Sequence, residues 1–347
     1  MKFGVVLPPR EGVEEVAALA DGLGFDSFWL YDTPLAQADP YIHLGRCANV
    51  TSQIELGVGV TSPRLRSVGV TACALATLEK LAPERAVLGI GTGNTGRQTF
   101  GMPPVRLAEV EQYVRDFRDL QSGSEITYHE DGRDARIRFL HSPGFVSTQP
   151  VKVIVAAAGE KAARTAGRVA DGLSTYGVVD PAGIALLRAA FEAERQSSAP
   201  EGRVITMTAV YVADRPEERF AAAAQRSVGH VVLSLLAFVL QNPSSAALLD
   251  DEGTRVLREF AHLLDWPGQD PSTSHQRLYH NYLGPIEDRF VDLVVPSLIE
   301  TFTLCGDAAF CRERISALEE AGLTDFVFHP AIDPVDEVRR FHELVMA

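Results

Sequence analysis

Cysteine is scarce. The four residues Cys47, Cys73, Cys305 and Cys311 are scattered, with no C-x-x-C and no histidine at ligand spacing. That argues against a disulfide framework and gives no metal site, so the four read as reduced thiols. Positive charge is short too: 32 Lys and Arg stand against 46 Asp and Glu, a formal charge of −14. Such a balance opposes nucleic acid and anionic membrane as partners. Long apolar runs are absent. The longest, "VVLSLLAFVL" from Val231 to Leu240, is too short to span a bilayer and reads as a buried helix or a subunit contact. No basic-then-apolar leader precedes the opening strand "KFGVVLP". The expectation is a cytoplasmic protein that handles a small-molecule substrate.

What is present is alternation. Apolar runs with strand patterning, "KFGVVLP", "FDSFWLY", "IELGVGV", "AVLGIG", "VKVIVAAA", "GLSTY", "VITMTAVYVA" and "TDFVFHP", are separated by helical patterns. Among the predicted helices are 39–51, 68–81, 160–169, 181–196, 307–321 and 335–346. Eight βα units with apolar strands indicate a (β/α)8 TIM barrel, whose sites lie at the C-terminal ends of the strands. Two stretches interrupt the repeat. Residues 124–150 read as a hairpin insertion after strand four, turning at Asp131-Gly132. Residues 214–303, without a clear strand, read as a helical insertion after strand seven. No low-complexity linker divides the chain, so 1–347 is expected to be one domain.

Gly91-x-Gly93-x-x-Gly96 has the spacing of a dinucleotide-binding fingerprint, but that motif follows the first strand and opens straight into a helix. Here it follows the fourth, and the next helix is predicted only from Pro103 or Pro104. The glycines of "GVGVTSP" allow close backbone approach to a ligand or merely ease the strand into its loop. In "AAAGEKAARTAG" a small-residue turn precedes a helix, whose first amides, those of Gly159, Glu160, Lys161 and Ala162, face outwards and favour an anion. Ala163, Ala166 and Gly167 would let that helix lie close to the barrel.

Five segments in order, "GFDSFWLYD", "LGVGVTSPRLR", "ERAVLGIGTGN", "AAAGEKAARTAGRVADG" and "LEEAGLTDFVFHP", resemble the bacterial luciferase-like monooxygenase superfamily over nearly the whole chain. "GTGN" and "QSGSEITYHEDGR" look nearest its coenzyme F420-dependent reductases and dehydrogenases. The resemblance implies a TIM barrel using F420 or, alternatively, FMN, and a homodimer, with a separate flavin reductase if FMN is used. It places a non-proline cis peptide at Gly59-Val60 beneath the flavin, Thr92, Gly93 and Asn94 at its ring edge or ribityl chain, and its phosphate on the amides of residues 159–162.

Two departures bear on chemistry. Many relatives carry histidine after the aspartate that ends strand two, where this chain has Asp32-Thr33; certain deazaflavin dehydrogenases carry glutamate where this chain has Asn94. Alcohol oxidation needs a positioned base. Losing both groups favours hydride transfer from reduced F420 to an imine or activated alkene. The alternatives are a reduced-FMN monooxygenase and a barrel that binds a flavin without turnover. His329 after strand eight, Tyr176 after strand six and Arg10 after strand one are the candidates for the vacant catalytic role. Arg66 is expected to support its loop through backbone carbonyls, and the lid is expected to involve Arg255, Arg258, Trp266 and Tyr282.

Overall fold

A computed structural model describes residues 1–140, 150–196 and 200–347. The strands are β1 (Lys2–Leu7), β2 (Ser27–Leu30), β3 (Glu55–Thr61), β4 (Ala86–Ile90), β5 (Ile126–Glu130), β6 (Arg133–Ile137), β7 (Lys152–Ala156), β8 (Gly172–Tyr176), β9 (Arg203–Thr208), β10 (Val210–Ala213), β11 (Leu304–Asp307) and β12 (Asp325–Phe328). Eight of them close into a barrel in the order β1-β12-β9-β8-β7-β4-β3-β2, all neighbours parallel. These are the eight strands expected, and the fold is a (β/α)8 barrel.

Helices α1 (Val13–Gly22), α2 (Pro40–Val50), α3 (Val68–Leu81), α4 (Leu107–Gln121), α5 (Glu160–Val169) and α6 (Pro181–Glu192) cover the first six barrel strands. The insertion carries α7 (Ala222–Gln241), α8 (Asp251–Leu263), α9 (Ser274–Leu278) and α10 (Pro296–Phe302), and the chain closes with α11 (Ala308–Glu320) and α12 (Pro334–Phe341). Strand side chains alternate between faces. Val5 and Leu7 therefore join the core shared with the helices, while Val6, Trp29, Val87, Ile154, Ile205, Met207 and Val327 fill the barrel interior.

Several boundaries differ from expectation. The seventh strand breaks at Ala209: β9 stays in the barrel, whereas β10 pairs in parallel with β11, formed by Leu304, Cys305 and Gly306, assigned to no element from sequence, and by Asp307, expected to open a helix. Helix α4 begins at Leu107, not at Pro103 or Pro104. Pro104 disfavours helical geometry at Pro103, whose carbonyl accepts from Arg97 Nε at 2.7 Å, and Glu109 caps the helix by accepting from the Arg106 amide. The last helix ends at Phe341 and passes into a single π turn, His342–Met346. Helix α5 approaches α6 through Gly167, where a Cβ would lie 2.2 Å from the Phe191 carbonyl oxygen, while Ala163 and Ala166 sink into the core.

The hairpin forms as β5 and β6, antiparallel, with Asp131 and Gly132 both at positive φ in the turn, 47° and 74°. Residues 141–149 of that predicted insertion lie outside the described residues. The apolar run Val231–Leu240 is part of a 20-residue helix that is long and apolar enough to cross a membrane, but 61% of its apolar window is buried inside the protein. It packs in a second core with Val256, Phe260, Leu298 and Ile299, which is the buried-helix reading.

Candidate functional site

The inward positions of β12, read two by two, are Asp325, Val327 and His329: a charge at the N-terminal end, an apolar middle and a polar residue at the C-terminal mouth. β9 repeats the first two steps as Arg203 and Ile205 but ends on apolar Met207. At the N-terminal end the charges are matched. Arg203 Nη1 donates to Glu55 Oε2 at 2.7 Å and Nη2 to Asp325 Oδ1 at 2.5 Å, and Lys152 also pairs with Glu55. Burial pushes the Glu55 carboxyl up, but Arg203 and Lys152 outweigh it and hold the carboxyl below its ordinary range.

The mouth is different. The Tyr31 hydroxyl and His329 Nδ1 share a hydrogen bond of 3.2 Å, and Tyr176 meets Tyr31 edge-on, with ring centroids 6.5 Å apart. His329 is buried, and both burial and the neighbouring His230 and Arg10 hold its imidazole well below the usual histidine range. Burial raises the hydroxyls of Tyr31 and Tyr176, so both stay protonated. Arg10 is exposed, with no acceptor bonded to its guanidinium among the described residues. The three candidates thus converge on one end of the barrel, with Tyr31 and His230 joining them.

Tyr31 was legible in principle, since it ends strand two beside Asp32. His230 was hidden in an apolar helix, and its only signal was being the one ionisable side chain between Arg226 and Asp250.

The β3 end carries a cis peptide at Gly59-Val60, the position that the resemblance implies. There β3 gains a residue on β4: Val58 pairs with Leu88 but Thr61 with Ile90, so two residues bulge where β4 has one. Arg66 does not hold backbone carbonyls as expected. Its guanidinium donates to Asp32 Oδ2 at 3.2 Å and Asp39 Oδ2 at 2.7 Å and lies 4.4 Å from the Tyr41 ring centroid. Carboxylates win because Asp32 is buried and would otherwise lack a counter-charge.

In the β4 loop, Gly93 takes φ 76° and packs against Ser62, and the Thr92 carbonyl accepts from the Val105 amide. Asn94 is already engaged: its Oδ1 accepts from Gln98 Nε2 at 3.1 Å and Asn242 Nδ2 at 3.5 Å. At α5 the N-cap is Gly159 with no side-chain cap, and a Cβ there would meet nothing within 4 Å. The amides of Gly159, Glu160 and Lys161 have no acceptor among the described residues, but that of Ala162 donates to the Gly159 carbonyl at 3.1 Å, so it is not free as expected. The first turn already closes on the N-cap carbonyl.

The lid expectation resolves unevenly. Arg255 pairs with Glu252 and Glu259 at the surface, Arg258 bonds the Thr254 carbonyl, and Trp266 packs on the insertion core. Only Tyr282 reaches the mouth, its hydroxyl 3.2 Å from Thr95 Oγ1. Beside it Leu283, at φ 60°, joins the barrel-interior cluster with Trp29, Tyr31 and Met207. No group of three metal-ligating side chains occurs among the described residues.

Do these residues fit a phosphorylated flavin or deazaflavin? Buried Ser62 Oγ, at the β3 end, has no hydrogen-bond partner, and the α5 terminus offers free amides beside open space. Those groups suit polyol hydroxyls and a phosphate. The Leu283 turn must yield for a ring to enter.

Comparison with known proteins agrees. The sequence profile of the family described as luciferase-like monooxygenase matches residues 1–325. The 5,10-methylenetetrahydromethanopterin reductase of Methanolobus tindarius is 25% identical over 97% of this chain and 96% of its own length. An F420-dependent glucose-6-phosphate dehydrogenase of Kineococcus radiotolerans is 33% identical, but over 46% of this chain and 50% of its own. Among solved structures, the coenzyme F420 dependent tetrahydromethanopterin reductase from Methanopyrus kandleri superposes with a TM-score of 0.72 at 18% identity, over 99% of this chain and 98% of that one. This chain is an oxidoreductase belonging to the luciferase-like monooxygenase family.

Proposed function

We propose that the protein binds coenzyme F420 and, with the cofactor reduced, transfers a hydride to an imine or an activated alkene. The observation that carries this reading is at Asn94, whose side-chain oxygen is tied to Gln98 and Asn242, so no carboxylate base stands there. In sequence, similarity to a methylenetetrahydromethanopterin reductase runs the full length, whereas similarity to a glucose-6-phosphate dehydrogenase runs half of it.

In this reading the amides of Gly159, Glu160 and Lys161 hold the cofactor phosphate against the positive end of α5. The Gly59-Val60 bulge supports the ring, and Thr92, Gly93 and Asn94 border its edge. Reduced F420 supplies the hydride. Tyr31 keeps its proton at the hydroxyl, oriented by His329 Nδ1, and Tyr176 stands beside it. The apolar wall of Trp29 and Met207 excludes water. Arg10 stands exposed at this end without an ion pair among the described residues. The same reading takes 1–347 as one domain, acting as a cytoplasmic homodimer.

Titration of the apo-protein with oxidised F420 and separately with FMN, followed by fluorescence quenching, tests the cofactor. Tight binding of F420 alone supports the reading. Preference for FMN replaces it with an oxygen-using monooxygenase fed by a separate flavin reductase, and binding of neither sinks both.

A further inference from the structure

His230 has no task in the chemistry above, yet it stands in the middle of it. It is 2% exposed in α7, and its ring meets that of His329 edge-on, with centroids 4.1 Å apart. Neither Nδ1 nor Nε2 makes a hydrogen bond of good geometry, although the Ser227 carbonyl three residues back acts on one side of the ring. A neutral imidazole carries one N–H donor and one lone pair, and interiors leave such groups unmade only where water or a ligand completes them. His230 also lines a cavity of about 50 Å3 with Ser234, Ala237, Phe260, Tyr282 and Leu283. That space takes a few waters or the polar head of a small molecule; the rest of a substrate needs the Leu283 turn to swing aside.

The charges around this cavity decide what the head can be. At its rim Arg289 pairs with Glu287 at 2.9 Å, and Arg277 donates to the carbonyls of Leu264, Asp265 and Pro267. His280 is exposed at the same rim. The hydroxyls of Ser234 and Tyr282 line it, and behind them on the barrel side stand the Tyr176 hydroxyl and the His329 ring, all uncharged, with Arg10 acting on His329. Burial pushes the His230 imidazole down to about 3, so it too is neutral at physiological pH. A cationic head would enter without a counter-charge, and the rim cation Arg277 already directs its donors to carbonyls.

We propose that His230 is a further catalytic residue of this site, its neutral N–H donating a hydrogen bond to the heteroatom of an uncharged acceptor, either the nitrogen of a C=N bond or the carbonyl oxygen of an enone. This rests on the reductase reading. The bond draws electron density from the carbon that is reduced and fixes that carbon's orientation, with no bond to the imidazole made or broken; the hydride comes from the reduced cofactor, and the proton that completes the reduction comes from water in the cavity. The acceptor's apolar body lies against Phe260 and Ala237.

The test uses 2-cyclohexen-1-one and 1-pyrroline as probes. Single-turnover oxidation of reduced F420 on the enzyme is expected to slow on the order of 100-fold in His230→Leu, as for loss of one donor to a developing charge. In His230→Gln, which retains an N–H, the rate recovers most of that loss, and both variants keep wild-type affinity for oxidised F420. A nuclear magnetic resonance titration of protein with 15N-labelled histidine rings, loaded with oxidised F420, supplies the readout without turnover. His230 is expected to stay a single neutral tautomer from pH 5 to 8, with its N–H signal displaced by either probe. Equal rates in wild type and His230→Leu, or His230 signals unmoved by both probes at their solubility limits, overturn the proposal. Wild-type protein that binds no F420 overturns the reductase reading instead.

Discussion

The two ends of one barrel are built to opposite rules. At the N-terminal end Glu55, Lys152, Arg203 and Asp325 are buried or half-buried charges, each with an opposite partner. At the C-terminal end Ser62 and His230 are buried polar groups without a hydrogen bond of good geometry. A satisfied network fixes one arrangement and leaves nothing for a ligand; an unsatisfied one costs stability until a ligand completes it. The barrel thus separates what holds it together from what it acts with, as expected for this architecture.

The sharpest way to break the contrast is Arg203→Met. It strands Asp325 as a buried carboxylate and leaves Glu55 with Lys152 alone, and breaking a buried pair in this way costs about 3–5 kcal/mol. Denaturant unfolding should show that loss while the affinity of the folded fraction for F420 stays within about two-fold, since the mouth lies at the other end of the strands. A large affinity loss would mean that the two ends are coupled.

Acid should separate the ends by window. Glu55 has a folded pKa below its unfolded value, so its contribution is complete above pH 4.5 and is lost as pH falls through the folded value. His230 is also lowered, from 6.5 to about 3, but for a base this means that the unfolded state takes up the proton first. Its neutral burial is unpenalised above pH 6.5, and stability is lost as pH falls from there towards 3. Between pH 7 and 5 this linkage removes about 2 kcal/mol, and His329 acts in the same direction. Unfolding free energies at the two pH values should therefore differ less in His230→Gln than in wild type. An unchanged difference would place the acid sensitivity elsewhere.

A smaller effect is expected at Leu283, which holds the mouth shut from a left-handed backbone. In Leu283→Gly the loss of roughly 2 kcal/mol of side-chain burial is offset by about 1 kcal/mol of relieved backbone cost, leaving a net destabilisation of about 1 kcal/mol. Because the plug is weakened rather than the cofactor's own contacts, F420 should bind faster and several-fold more tightly in stopped-flow quenching. Slower or weaker binding would make Leu283 part of the binding wall instead of its obstruction.

These regions were not equally legible in the sequence. Alternating apolar runs carry the barrel, because each parallel strand is buried on both faces and needs a helix between it and the next. The Asp131-Gly132 turn and the start of α5 are local and read directly. The paired charges were missed because Glu55, Lys152, Arg203 and Asp325 are far apart in sequence and meet only when β3, β7, β9 and β12 close the ring. The β10–β11 pair was missed for the same reason, its strands being separated by the whole helical insertion. Tyr31 stood at a strand end and could have been found by that rule alone. His230 and Leu283 could not, because an insertion's packing against the mouth is not encoded in a local period.

The α5 terminus gives the smallest stability change and the clearest sign reversal. Gly159 has φ −175°, ordinary extended backbone, and a Cβ there meets nothing within 4 Å. Gly159→Asp therefore fits without strain and supplies the side-chain cap that α5 lacks, raising stability by a few tenths of a kcal/mol. The same carboxylate bonds the free amides that would otherwise receive phosphate and adds a like charge beside it, so F420 affinity should fall by roughly ten-fold or more. Thermal unfolding and fluorescence titration of the one variant read both changes. Stability gained with affinity lost means that this terminus is left uncapped for a ligand; affinity retained would move the phosphate away from α5 and leave Gly159 as a simple helix boundary.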